Sequence, residues 1–223
     1  MNILALETST ELCSAALWLD GEIDAREVVA GQRNSELLLP MVDALLAAHR
    51  LAARDFDGIA FGAGPGAFTG VRIACGVAQG IAFGAGVPVA GIGTLLALAQ
   101  ASRAQRVVCC LDARMGEVYH AAYERRGEEF VEVHAPGLYR PEAVPALPAG
   151  PWIGCGSGFA VYRGVLEDRY QGCLDEVMEN LVPHAREIAL LAARQFALGA
   201  VADAADAVPL YVRNKVALRV DER

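Results

Sequence analysis

The chain opens on short apolar runs broken by polar turns. Residues 3–7, 13–19 and 22–30 read as three strands, because turn-forming residues interrupt them at 8–11 and at Asp20-Gly21. From Asn34 the period changes. Leu38, Met41, Val42, Leu45, Leu46 and His49 recur at three- and four-residue spacing, which predicts a helix from about Ser35 to Arg50. Asn34-Ser35-Glu36 offers its N-cap, and Pro40 falls early inside it. A strand at 58–61, a glycine-rich turn at 62–66, a helix at 68–84, a strand at 87–91 and a helix at 94–102 follow. The predicted order is βββαβαβα.

Strands at 106–111, 117–125 and 128–134, with turns at 112–116 and at Arg126-Gly127, repeat the three-strand opening. A proline-rich stretch carries Pro136, Pro141, Pro145, Pro148 and Pro151. It leads to a short strand at Trp152-Ile153, a turn at 154–158 and a helix from Pro183 to Leu198. The repetition predicts an α/β protein of two related units, 1–103 and 104–223, with a boundary near residues 103–105 and a ligand cleft between the copies.

Composition narrows the functions open to such a fold. The 223 residues are 54% hydrophobic and 21% charged, which excludes a disordered tail or linker. The net charge is -8, and Lys215 is the only lysine. Nucleic-acid binding by the chain alone is therefore not expected, because neutralised phosphates supply most of that affinity. The six cysteines form no C-x-x-C pair and lie mostly in apolar surroundings, and the N-terminus lacks a basic signal-like region. A cytoplasmic location is expected. Residues 73–102 are uncharged, a length that would permit a membrane span, but six glycines, Pro88, Gln79 and Thr94 break the run into helix, strand and helix. No membrane partner is expected.

The segment Gly62-Ala63-Gly64-Pro65-Gly66-Ala67-Phe68-Thr69-Gly70 carries the richest candidate chemistry, since amides at a helix start favour an anion. A P-loop needs a lysine on the phosphates, and the only lysine is Lys215. A dinucleotide fingerprint needs an acid about 20 residues on, and none occurs between Asp57 and Asp112. Ser157 in Gly154-Cys155-Gly156-Ser157-Gly158 does not match the nucleophile elbow, and His49, His120, His134 and His184 are scattered in sequence. No metal site is expected. Gly76, Gly80 and Gly84 leave one helix face without side chains, at ~1 kcal/mol per glycine relative to alanine. Such a stripe implies a close contact, either on the unit's own sheet or against another subunit.

Four segments, in order and spanning nearly the whole chain, carry a resemblance. They are Leu6-Glu7-Thr8-Ser9, Gly64-Pro65-Gly66-Ala67-Phe68-Thr69-Gly70-Val71-Arg72, Leu111-Asp112-Ala113-Arg114-Met115-Gly116-Glu117-Val118-Tyr119 and Pro209-Leu210-Tyr211-Val212-Arg213. Together they resemble the TsaB (YeaZ) family, the partner subunit in bacterial tRNA threonylcarbamoyladenosine biosynthesis. The resemblance implies an actin-like ATPase (ribonuclease H-like) fold of two related domains. It further implies a non-catalytic scaffold or activating subunit, working with a TsaD-like catalytic subunit and a TsaE-like ATPase. The assembly would transfer threonylcarbamoyl to N6 of adenosine 37 in tRNAs reading codons that begin with A, with tRNA bound only through the complex.

The same resemblance favours a partner interface on the first two helices, at Leu38, Met41, Val42, Leu45, Gly76, Gly80 and Gly84, for the TsaD-like subunit or for a homodimer. Actin-like kinases pinch phosphates between two hairpin turns, one per domain. On that analogy Glu7, Thr8, Ser9, Gly64, Gly66 and Thr69 are candidate nucleotide contacts, vestigial or shared with the partner. The second turn, Asp112-Ala113-Arg114-Met115-Gly116, has one glycine and two bulky side chains where phosphate would need close backbone approach. No cofactor is expected on the chain alone, which leaves ATP or ADP to the complex interface. The rival reading is a stand-alone actin-like small-molecule kinase with Glu7 as its metal carboxylate. The TsaD-like subunit's His-x-x-x-His pair is missing here, and Asn34 stands where family members often carry a histidine.

Overall fold

The computed structural model describes residues 1–212, so Arg213 of the terminal motif and Lys215 lie outside the described residues. Two five-stranded sheets form among them. The first joins β1 (Asn2–Glu7), β2 (Leu12–Leu19), β3 (Glu22–Val29), β4 (Gly58–Gly64) and β5 (Val89–Gly93) in the order β3-β2-β1-β4-β5. The second joins β6 (Arg106–Asp112), β7 (Val118–Arg126), β8 (Glu129–Tyr139), β9 (Trp152–Cys155) and β10 (Leu174–Met178) in the order β8-β7-β6-β9-β10. Each sheet is an antiparallel meander with two strands added parallel beside its first member. The repeated sequence pattern is a repeated topology.

The central strands of each sheet are apolar on both faces, so both must be covered. Alternation along β1 sends Leu4 and Leu6 to one face, where α1 (Asn34–His49) and α2 (Phe68–Ala85) supply Leu38, Val42, Leu45, Ala74 and Ala78. Ile3 and Ala5 meet α5 (Ala185–Ala197) on the other face, through Ala185, Ile188, Ala189, Ala192 and Ala193. In the second sheet α4 (Ser157–Arg169) brings Phe159 and Leu166 against Val108 and Trp152. The opposite face takes Leu95, Leu98 and Ala99 of α3 (Thr94–Ser102), packed on Val107, Cys109 and Leu111.

The helix that follows the fifth strand of each sheet therefore packs against the other sheet. This corrects the division at 103/104. The chain does pass from one sheet to the next between Ser102 and Arg106, but residues 185–197 belong to the core of the first.

Other differences have local causes. The sequence predicts a turn at 154–158 and no helix directly after it, because Gly156, Ser157 and Gly158 look like loop residues. Gly156 does make the turn, at φ +100°, but Gly158 opens the helix where a Cβ would lie 2.8 Å from the Cys110 Cβ. β10 is a half-exposed edge strand with little apolar alternation to betray it. Asn34 does not cap α1. It is buried, and its Nδ2 donates to the Thr10 carbonyl at 3.3 Å, which ties the helix start to the first turn. The uncharged run resolves into α2, β5 and α3; α2 is long and apolar enough to cross a membrane by length and composition, yet Ala74, Cys75, Ala78 and Ala82 pack on the first sheet.

Candidate functional site: two closed turns and an open helix face

The first turn joins β1 to β2. Its Ser9 N–H donates to Glu7 Oε1, Thr8 Oγ1 donates to the Gly70 carbonyl at 2.7 Å, and the Ala67 N–H donates to the Ser9 carbonyl at 2.7 Å. The turn is thus clamped onto the glycine-rich segment. A Cβ at Gly62 would lie 2.0 Å from Glu7 Oε2, one at Gly66 2.6 Å from Ser9, and one at Gly70 1.9 Å from the Thr8 carbonyl oxygen. These glycines admit the chain's own backbone and side chains, where a phosphate-binding reading has them admit phosphate. Gly64, at φ +106°, faces Leu210, whose N–H donates to the Ala63 carbonyl at 2.7 Å. Thr69 is exposed in the first turn of α2. Of the six candidate nucleotide contacts, the structure gathers Glu7, Thr8, Ser9 and Gly66 into one packed knot, with Gly64 and Thr69 outside it.

Glu7 is fully buried, and its Oε2 and the Ser9 hydroxyl have no hydrogen-bond partner. Burial pushes its carboxyl up to about 7, against a smaller opposing pull from the Ser9 N–H. Gly70→Ala is expected to lower stability by about 1–3 kcal/mol, since the new methyl meets backbone that cannot swing aside. Urea unfolding measures it, and an unchanged midpoint would show the clamp to be loose.

The second turn, between β6 and β7, is closed in the same way. Asp112 Oδ1 accepts the Arg114 N–H at 2.9 Å, Oδ2 pairs with the Arg114 guanidinium at 3.0 Å, and the Tyr162 hydroxyl donates to Oδ1 at 3.4 Å. The Asp112 N–H donates to Ser157 Oγ at 3.1 Å, giving Ser157 a fastening role at the start of α4. The Ala113 N–H donates to the Glu117 carbonyl at 2.9 Å. Each strand thus ends on an acid whose carboxylate takes the N–H two residues on. The sequence pairs the two turns, since Leu6-Glu7-Thr8-Ser9 and Leu111-Asp112-Ala113-Arg114 repeat the signal, but it does not show that Asp112, like Glu7, closes its own turn.

On the helix face the expected interface needs correction. Leu38, Val42 and Leu45 are buried in the first sheet's own core, and Met41 is half-buried against it, so none is surplus apolar surface. The periodic stripe of α1 covers its own sheet. Gly76, Gly80 and Gly84 point the other way: they are exposed, and a Cβ on any of them would meet nothing within 4 Å. The exposed apolar side chains of these helices are instead Leu39 (48%), Phe68 (47%) and Phe83 (77%). The Arg72 guanidinium lies 3.3 Å from the Phe68 ring centroid and 4.8 Å from that of Tyr211, joining the terminal segment to α2.

The histidines occupy three places. His49 meets Asp24 at 2.8 Å and His184 meets Glu27 at 2.7 Å, while His120 and His134, on the adjacent strands β7 and β8, bring their rings to 5.9 Å. Among the described residues no three His, Cys, Asp or Glu side chains converge as a metal cluster.

A family model described as TsaD, tRNA N6-adenosine threonylcarbamoyltransferase, matches residues 28–218. The tRNA threonylcarbamoyladenosine biosynthesis protein TsaB of Escherichia coli K12 is 38% identical, with 97% of this chain and 96% of that protein covered. Its namesake in Haemophilus influenzae is 37% identical over 97% of this chain and 95% of its own. The solved structure of YeaZ from Pseudomonas aeruginosa superposes with a TM-score of 0.87 at 38% identity, covering 94% of this chain and 99% of its own. Two sheets of one topology, two self-closed turns and this similarity over nearly the full length agree on one placement: the chain belongs to the TsaB (YeaZ) family of tRNA threonylcarbamoyladenosine biosynthesis proteins, with the actin-like fold it shares with TsaD.

Proposed function

We propose that this protein is the non-catalytic scaffold or activating subunit of the assembly that transfers threonylcarbamoyl to N6 of adenosine 37 in tRNAs reading codons that begin with A. The observation that carries the reading is the closure of both turns. Phosphate recognition by an actin-like fold needs free amides facing the cleft, and here the Ser9 and Arg114 amides are taken by Glu7 and Asp112. Glu7 is fully buried and packed on Gly62, which argues against the stand-alone kinase that would use it as a solvent-reaching metal carboxylate.

In this reading a TsaD-like subunit carries the chemistry and docks on the open face of α2. The Gly76, Gly80, Gly84 stripe is open and lets a partner helix approach closely. A second copy would use the same face when the partner is absent. A TsaE-like ATPase joins in the cytoplasm, nucleotide is held at the complex interface, and tRNA is held by the complex, consistent with the net charge of -8 on this chain.

The test is reconstitution. Isolated protein is expected to hydrolyse no ATP above background and to bind no tRNA near physiological salt. Threonylcarbamoyl transfer by a TsaD-family protein with its TsaE-like ATPase should require it stoichiometrically. Hydrolysis by the purified chain at ~1 s⁻¹, an ordinary enzyme rate, would overturn the reading.

A further inference from the structure

The second sheet holds a buried polar cage with no part in the proposed function. His120 of β7 is fully buried, and neither of its ring nitrogens has a hydrogen-bond partner. Rings close it in: Tyr139 edge-on at 5.7 Å, Tyr170 stacked at 6.4 Å and His134 tilted at 5.9 Å. The Tyr170 hydroxyl is also unpartnered. Cys110 lies directly across from His120 on β6. Two of these groups come from β8, the edge strand, which carries a bulge opposite this site: His120 faces Gly137 and Ala122 faces His134. Tyr170 closes the C-terminal end of α4.

None of the groups facing His120 can neutralise a positive charge there. Burial keeps the Cys110 thiol and Tyr170 phenol protonated, and Tyr139 is a phenol. His134, whose Nε2 sits 2.9 Å from the Ala146 carbonyl, adds only like charge on protonation. Arg169, beside Tyr170, is a cation with its Nε on the Val144 carbonyl at 2.8 Å. An imidazolium at 120 would be buried without a counter-charge, a state relieved only by exposure to water.

We propose that His120 is a proton-operated latch on the outer layer of the second sheet: neutral, it lets β8 and the end of α4 close over it; protonated, it opens them. Desolvation, helped by His134, holds the closed-state imidazole down at about 3 against an ordinary 6.5, so each proton taken up favours the open form.

Hydrogen exchange on the full chain tests this, after correction for intrinsic rates. Between pH 7.5 and pH 5 the opening equilibrium of β8 and of the end of α4 should rise about 30-fold, the ratio set by those two values. Protection in β1 and β4 should not follow, and in His120→Phe, which keeps an aromatic ring in the cage, the rise should vanish. Loss of protection spread evenly over both sheets, or an unaltered rise in the variant, would overturn the latch. Should His120→Phe not fold, imidazole resonances of the unsubstituted protein decide: His120 must stay neutral through pH 5 in the closed form, and titration near 6.5 with protection intact would refute it.

Discussion

Gly80→Leu is expected to abolish docking of a TsaD-family partner, weakening it at least about 100-fold, while the protein itself becomes slightly more stable. The two effects have separate origins. Nothing lies within 4 Å of a Cβ at position 80, so the side chain enters solvent in the free protein, and replacing a helical glycine adds about 0.5–1 kcal/mol from backbone entropy alone. In a helix-on-helix contact the same isobutyl group holds the backbones apart and removes the packing of the whole stripe. Thermal melting and a binding titration against the partner, with Gly84→Leu as a companion, read both. Normal binding by both variants would move the docking surface off α2, and unfolding would mean that the stripe faces the protein's own core.

Glu7→Gln is expected to change how stability depends on pH. The buried carboxyl titrates near 7 in the folded protein against 4.5 in the unfolded chain, so the native state holds the extra proton between those values. Its contribution is fully present below pH 4.5 and is lost as pH rises through 7, about 3 kcal/mol in all. His120 works in the opposite sense. Its folded value is depressed to about 3, so stability is complete above pH 6.5 and falls as pH drops. Across pH 4.5–6.5 the two slopes oppose, and the unsubstituted protein should show a nearly flat unfolding free energy. With glutamine at 7, the His120 slope stands alone and stability should climb by about 2 kcal/mol from pH 5 to 7. Urea titrations at several pH values decide it; a variant whose curve parallels the parent would show that Glu7 is not protonated in the fold.

Much of this architecture is written locally. The first-half order of strands and helices, the repeat and the glycine turn follow from period and punctuation, and the helix at Thr94–Ser102 matches to the residue. Direction is what periodicity omits. The apolar stripe of α1 shows that Leu38, Val42 and Leu45 are buried against something, but not that their own sheet satisfies all three. The glycines of α2 bear no side chain to mark the face they present. Likewise the alanine-rich face of α5 signals close packing, while its target lies more than 160 residues back, at Ile3, Ala5 and Ala16. The turns were legible in part. Glu7 was singled out for a nucleotide, yet the bond that occupies it joins neighbours two apart, and only the folded clamp shows that nothing else has room.

The crossing of α3 and α5 has a consequence for synthesis. On the ribosome the first sheet emerges early, with α1 and α2 ready for one side, but its other side stays bare until translation passes Ala197. At about 5–20 residues per second, the span from Gly93 to Ala197 leaves Ile3, Ala5, Ala60 and Ala90 uncovered for about 5–20 seconds. A nascent chain stalled before α5 would display a sticky alanine and isoleucine surface to chaperones, and release of a chain shortened to about 184 residues should yield aggregate rather than an N-terminal domain.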